Sequence, residues 1–253
     1  MKKFFKKIFI AKSDPTLEQK PNSAIKTQIE NIKNVWYSKK YKDFGVERVL
    51  RLFLVCIQFL FPGLYIRNLA GWKNTLTRKL CNEIYVMAKI ILYILFLFVF
   101  YAYSWCGFVC VYLISETLCY LLGLIFLNTE YNKPASYRRN LLLTIINFVE
   151  ITLGFAAIYY CSFKQSIHVS DHCLEHGLET SFDAIYFSFI SATTVGYGDM
   201  VPTTRWSKIV CLSQSFVSFL FTVFIINIFL SNMNNSGFLN DSKKNNTKGH
   251  INN

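Results

Sequence analysis

The sequence predicts an all-α membrane protein, and three observations predict it. Of its 253 residues, 53% are hydrophobic and 17% charged, a balance that a water-soluble domain of this size does not carry. Several apolar runs reach the roughly 20 residues that a helix needs to cross a bilayer. The 27 lysines and arginines fall almost entirely between those runs, so the net charge of +12 is read against a membrane surface. Those basic residues form no recognisable nucleic-acid module, and nucleic acid is not expected as a partner. The eight cysteines (Cys56, Cys81, Cys106, Cys110, Cys119, Cys161, Cys173 and Cys211) sit mostly inside apolar runs. They lack the paired CxxC spacing of a structural zinc site and read as buried apolar thiols. Met1 to Lys12 is short and basic, with no small-residue cleavage site, and does not read as a secretory signal.

The elements follow in order. Residues 1–45 form a basic N-terminal region. Its first stretch, KKFFKKIFIAK, interleaves lysines with Phe and Ile, which suits either an arm on an anionic inner leaflet or an unordered basic tail. Ile25, Ile29, Ile32 and Trp36 then recur at helical spacing and predict one apolar stripe. Residues 46–66 are apolar enough to span, yet Arg48 and Arg51 lie within the start and Pro62-Gly63 breaks the end. Basic clusters stand on both sides, Lys39, Lys40 and Lys42 before and Arg67, Lys73, Arg78 and Lys79 after. A single crossing would put one cluster outside, so an interfacial or re-entrant segment is favoured over a span.

Residues 84–127 read as a transmembrane helix pair, roughly 84–103 and 107–127, with a break at Ser104-Trp105-Cys106-Gly107. A polar loop with Lys133, Pro134, Arg138 and Arg139 leads to a third span, Leu141–Phe163. Ser181 to Thr193 is apolar but too short to cross. Trp206–Leu230 is the fourth span, and residues 231–253 read as a disordered polar tail rich in Asn and Lys.

Between the short segment and the last span stands Thr193-Thr194-Val195-Gly196-Tyr197-Gly198-Asp199. A dehydrated cation needs oxygens at fixed spacing, and backbone carbonyls aimed at one axis supply them. Gly196 and Gly198 let alternate residues adopt left-handed dihedrals, so successive carbonyls point the same way. Thr194 adds a hydroxyl at the inner end, Val195 and Tyr197 turn back to brace the row, and Asp199 stands at its mouth. Thr180 and Asp183 have capping-box spacing and start a helix near Ser181, with the Asp183 carboxylate favourable at its positive end.

The TTVGYGD stretch resembles the potassium-channel pore family residue for residue, and the likeness covers about 90 residues, 141–230. It implies an outer helix (Leu141–Phe163), a pore helix carrying Asp183, Tyr186 and Phe187, a filter (Thr194 to Gly198) and an inner helix (Trp206–Leu230). With one filter per chain it also implies a homotetramer that conducts K+ passively, with no cofactor and no enzyme activity. The pore helix's carbonyl end then faces the cavity, where it favours a cation. Readings from other classes are a non-conducting regulatory subunit or scaffold, and a transporter.

Charge supports one orientation. With the filter outside and both termini cytoplasmic, only Lys164, Arg205 and Lys208 lie outside and Lys89 within a span, while 164–180 is acidic. The compact plan suggests a prokaryotic inner membrane. The sequence departs from the family in two ways: its inner helix has no glycine, with Ser218 near the usual pivot, and 84–127 lacks periodic arginines. Two weaker features are left open. His168, His172 and His176 recur every fourth residue around Cys173, which on a helix forms a zinc or proton site and otherwise solvated histidines. Glu150 lies mid-span beside Asn147, either as a functional group or as glue to an inner-helix hydroxyl such as Ser213 or Ser215.

Overall fold

A computed structural model describes residues 23–37, 45–70, 75–126, 137–171 and 174–235. The basic arm before residue 23, most of the 128–140 loop, His172, Cys173 and the tail beyond Asn235 lie outside the described residues. The helices are α1 (Ala24–Trp36), α2 (Val46–Ile57), α3 (Pro62–Ala70), α4 (Thr75–Phe98), α5 (Trp105–Phe126), α6 (Tyr137–Ser162), α7 (Ser181–Ala192) and α8 (Arg205–Asn235). Three short strands, β1 (Ile167–Asp171), β2 (Leu174–His176) and β3 (Met200–Pro202), join them. Among the described residues, α4, α5, α6 and α8 are long and apolar enough to cross a membrane. Helices α2 and α3 bend by 73° at Phe61-Pro62 and make a fifth span only if taken together. The protein is a multi-pass membrane protein.

The chain divides into two compact units. One comprises Met1–Leu92 and Tyr112–Asn132. Its apolar centre is Leu54 and Val55, packed by Ile32, Leu50, Leu122 and Phe126. Helix α1 forms where the isoleucine spacing predicts a helix, but the face it buries differs. Gln28 and Val35 are buried, whereas Ile29 and Trp36 are exposed. The reason is the Gln28 amide, which donates to the Val55 carbonyl (3.1 Å) and to Gln58 Oε1 (2.9 Å) and turns that side of α1 inward. Further along, Glu116 on α5 holds the start of α3. Its Oε1 accepts from the Gly63 N–H at 2.7 Å and its Oε2 from the Tyr85 hydroxyl at 2.6 Å. Lys89, buried within α4, donates to Thr117 Oγ1 at 2.5 Å, which places an intramembrane ammonium against a hydroxyl.

The other unit comprises Tyr93–Val111 and Lys133–Asn253. The turn between α4 and α5 falls at 99–104, earlier than the predicted break, because Val99 and Phe100 both donate to the Leu95 carbonyl and close α4 there. Tyr103 and Trp105 at this turn are exposed aromatics of the kind that sit at a membrane–water boundary. Helix α4 starts at Thr75, well before the predicted residue 84, since backbone hydrogen bonding carries the helix past its apolar stretch into the polar residues. Helix α8 likewise continues through Asn235, past the predicted end at Leu230. Helix α6 packs on α7 and α8, and Ala156 and Ala157 within it are fully buried. Strands β1 and β2, between α6 and α7, pair with β3, between α7 and α8, as an antiparallel sheet in the order β2-β1-β3, with Val169 opposite His176 and Ile167 opposite Pro202.

Candidate functional site

Helix α7 begins where Thr180 and Asp183 cap each other. The Asp183 N–H donates to Thr180 Oγ1 at 3.2 Å, and the Thr180 N–H donates to Asp183 Oδ2 at 2.7 Å. Asp takes the place that Glu or Gln holds in most such boxes, and its negative charge sits against the helix's positive end. The Ser181 hydroxyl donates to the Leu97 carbonyl at 2.7 Å and pins this end to the α4–α5 turn. Ala184, Phe187, Ser188 and Ile190 are buried against α6 and α8. The Phe187 ring meets the Tyr159 ring edge-on, centroids 4.9 Å apart.

The segment after α7 grows out of the helix's last turn. The Thr193 N–H donates to the Phe189 carbonyl at 3.0 Å, that of Thr194 to Ser191 at 3.3 Å, and that of Val195 to Ile190 at 3.0 Å. Beyond it, φ is positive at Thr194 (58°), Gly196 (53°) and Gly198 (81°), with Val195 and Tyr197 on the ordinary side between them. Alternating signs of φ are what a chain needs if successive carbonyls are to face one side instead of alternating. Such a row can replace the water around a bare cation. No atom lies within 4 Å of a Cβ built on Gly196 or Gly198, so in the single chain the dihedral, not crowding, demands glycine at both. Thr194 takes the same conformation while carrying a Cβ, a strain of about 1–3 kcal/mol that local sequence gives no sign of.

Asp199 ends the row. Its Oδ2 accepts from the Tyr186 hydroxyl at 2.8 Å and its Oδ1 from the Met200 N–H at 3.1 Å. The hydrogen bond to this carboxylate pushes the Tyr186 phenol above its ordinary value. Tyr186 and Asp199 thus meet, as do Asp183 and Thr180. Val195 and Tyr197 do not turn back onto their own chain: they are 51% and 69% exposed.

The histidine reading needs correction. His168 and His176 lie on antiparallel strands, so a four-residue spacing does not stack them on one helical face; pairing of β1 with β3 through His168–Val201 makes this segment a sheet. Among the described residues no group of three His, Cys, Asp or Glu side chains gathers to hold a metal. Glu150 is fully buried in α6 near buried Asn147. The inner-helix hydroxyls expected to reach it serve their own helix instead, Ser213 donating to Ile209 and Ser215 to Cys211.

Sequence reasoning missed four buried polar residues. Tyr159 and Thr152 on α6, Ser188 on α7 and Gln214 on α8 hydrogen-bond across three helices. The available sign was Gln214 itself, an amide midway along a 22-residue apolar span.

Residues 144–235 match a family described as "Ion channel". The chain is similar to potassium channel K2 of Plasmodium berghei, 37% identical over 108 residues, which is 38% of this chain and 7% of that protein. It is similar to potassium channel K2 of Plasmodium falciparum at 35% over 107 residues, again 38% and 7%. Two-pore potassium channel 5 of Arabidopsis thaliana is 32% identical over 94 residues, 36% of this chain and 21% of that protein. The matched stretch thus spans a small part of each relative's length. These relatives are eukaryotic, against the expectation of a prokaryotic membrane. No solved structure matches.

Proposed function

We propose, from the match of residues 144–235 to the ion-channel family, that four copies of this chain surround one axis and pass K+ passively through the row Thr194 to Gly198. The observation that supports this reading is the alternating sign of φ at Thr194, Gly196 and Gly198, the pattern that a one-sided row of carbonyls needs. One chain supplies one wall, and a cage of carbonyls needs four. The Thr194 hydroxyl adds the innermost oxygens, and Asp199 gives the mouth a negative charge that attracts cations.

Two exposed apolar surfaces support assembly. Val195 and Tyr197 lie bare on the filter, and α8 exposes Ile209, Leu212, Phe216, Phe219, Val223 and Ile226. Their alternating three- and four-residue spacing is the seam along which helices of separate chains pack side by side. The basic N-terminal region faces an anionic inner leaflet in this reading, with both termini cytoplasmic.

Flux from liposomes decides it. The purified chain releases K+ far faster than Na+, native mass spectrometry gives a tetramer, and Gly196→Ala abolishes the preference. Wild-type liposomes that pass both ions equally, or neither, overturn the reading.

A further inference from the structure

Gln214 is 1% exposed within a span that is otherwise built to face apolar surroundings. A bare amide there is costly, and this one is almost fully satisfied. Its Nε2 donates to the Ser188 carbonyl and to Ser188 Oγ, each at 2.8 Å. Its Oε1 accepts from the Tyr159 hydroxyl at 2.7 Å. The Ser188 hydroxyl, accepting from Gln214, donates onward to the Thr152 carbonyl at 2.7 Å. The amide orientation is set by chemistry: a carbonyl can only accept, so the NH2 must face Ser188, which leaves the oxygen for Tyr159. The bonds run in one direction, from Tyr159 on α6 to α8, through α7 and back to Thr152 on α6, and each polarises the next.

The place of this chain of bonds matters. Ser188 lies in the last turn but one of α7, directly before the carbonyls of Phe189, Ile190 and Ser191 from which the filter hangs. Helix α8 has no glycine to bend at, so displacement at the level of Gln214 moves that residue with the helix. Either Ser188 follows, or a carbonyl and a hydroxyl lose their partner in a low-dielectric site.

We infer that Gln214 is a positioning residue which fastens the filter-bearing helix to the inner helix, so that the two move together and the filter senses where the inner helix stands. The inference rests on the channel reading, and its test separates the two. The full chain is reconstituted in planar bilayers as wild type, Gln214→Leu, Ser188→Ala, Tyr159→Phe and the Gln214→Leu/Ser188→Ala double variant. Open-state occupancy and the K+/Na+ permeability ratio are recorded, with amide exchange of residues 185–192 in parallel.

Gln214→Leu is expected to change open-state occupancy about tenfold, the size of lost interhelical hydrogen bonds. The double variant changes it no further than Gln214→Leu alone, because the two residues act as one contact. Tyr159→Phe, which keeps both bonds to Ser188, changes it less. Exchange speeds up at 185–192 in Gln214→Leu. A conducting wild type whose occupancy and ion preference are untouched by Gln214→Leu and Ser188→Ala, or whose single effects simply multiply, overturns the inference. Should Gln214→Leu fail to assemble, Ser188→Ala decides alone, since it removes only one hydroxyl. A non-conducting wild type sinks the channel reading instead, and unchanged amide exchange in Gln214→Leu then sinks the fastening.

Discussion

The Tyr186 hydroxyl donates to the Asp199 carboxylate across 2.8 Å, tying the middle of α7 to the far end of the Thr194–Gly198 row. The contact needs the proton of the phenol. Because the carboxylate raises the Tyr186 pKa, the folded state holds its proton more tightly than the unfolded state does. The contribution is therefore complete below the ordinary tyrosine value of about 10 and lost as pH climbs past the folded one. On the proposed channel reading, potassium selectivity should stay flat between pH 7 and 9 and fall above about pH 10. Tyr186→Phe should remove that alkaline step and lower the permeability ratio severalfold at neutral pH. Bilayer recordings across the pH series check both.

Backbone conformation separates two kinds of filter substitution. Alanine at Gly196 or Gly198 must adopt φ of 53° or 81°, at about 1–2 kcal/mol for a left-handed residue. Thr194 already bears a Cβ at φ 58°, so Thr194→Ala adds no such strain and removes only the hydroxyl. Gly198→Ala should thus lower the melting temperature of the assembled protein as well as its conduction, whereas Thr194→Ala should alter conduction alone. Thermal melts followed by flux measurements on the same preparations distinguish them. Equal melting temperatures for wild type and Gly198→Ala contradict the strain argument.

What the sequence disclosed was what local chemistry decides. Thr180 and Asp183 announce the start of α7 because a capping box closes within one turn, and Gly196 and Gly198 announce positive φ because little else tolerates it. Thr194 gives no such notice, since its conformation is imposed by the segments on either side. The His168–His176 stretch was ambiguous at four-residue spacing, and what makes it a sheet is pairing with Val201, far along the chain. On α1 the isoleucines form a stripe, yet the buried face shares only part of it: Ile32 packs inward with Gln28 and Val35, while Ile29 and Trp36 stay exposed. The Gln214–Ser188–Tyr159 contact was illegible for the same reason: no property of one helix says which neighbour its polar side chain will meet.

The cap on α7 carries a stability prediction of its own. Thr180→Ala removes the oxygen that accepts from the Asp183 N–H and half of a reciprocal pair. Loss of such a cap costs about 1 kcal/mol. Amides at the first turn of α7 should then exchange about fivefold faster, the equivalent of that energy, while those at 189–192 keep their protection. Thr180→Ser, which retains the oxygen, should exchange like wild type. Uniform loosening of the whole helix in Thr180→Ala speaks against a local cap.

Helix α3 is held at its first turn by a carboxylate from another helix, and glycine makes room for it. A Cβ on Gly63 would sit 2.5 Å from Glu116 Oε1 and 3.5 Å from Tyr85 Cε1, so Gly63→Ala must push the carboxylate off the Gly63 N–H. That leaves a backbone donor with a displaced partner, a loss of about 1–3 kcal/mol. Glu116→Ala should cost at least as much, because the Gly63 N–H and the Tyr85 hydroxyl both lose their acceptor. Glu116→Gln keeps one oxygen for Gly63 and should fall between wild type and Glu116→Ala. The two losses share one contact, so Gly63→Ala/Glu116→Ala should be no less stable than Glu116→Ala alone. Thermal unfolding of the purified protein in detergent orders the variants, and fully additive losses would mean that Glu116 supports the fold through some other contact.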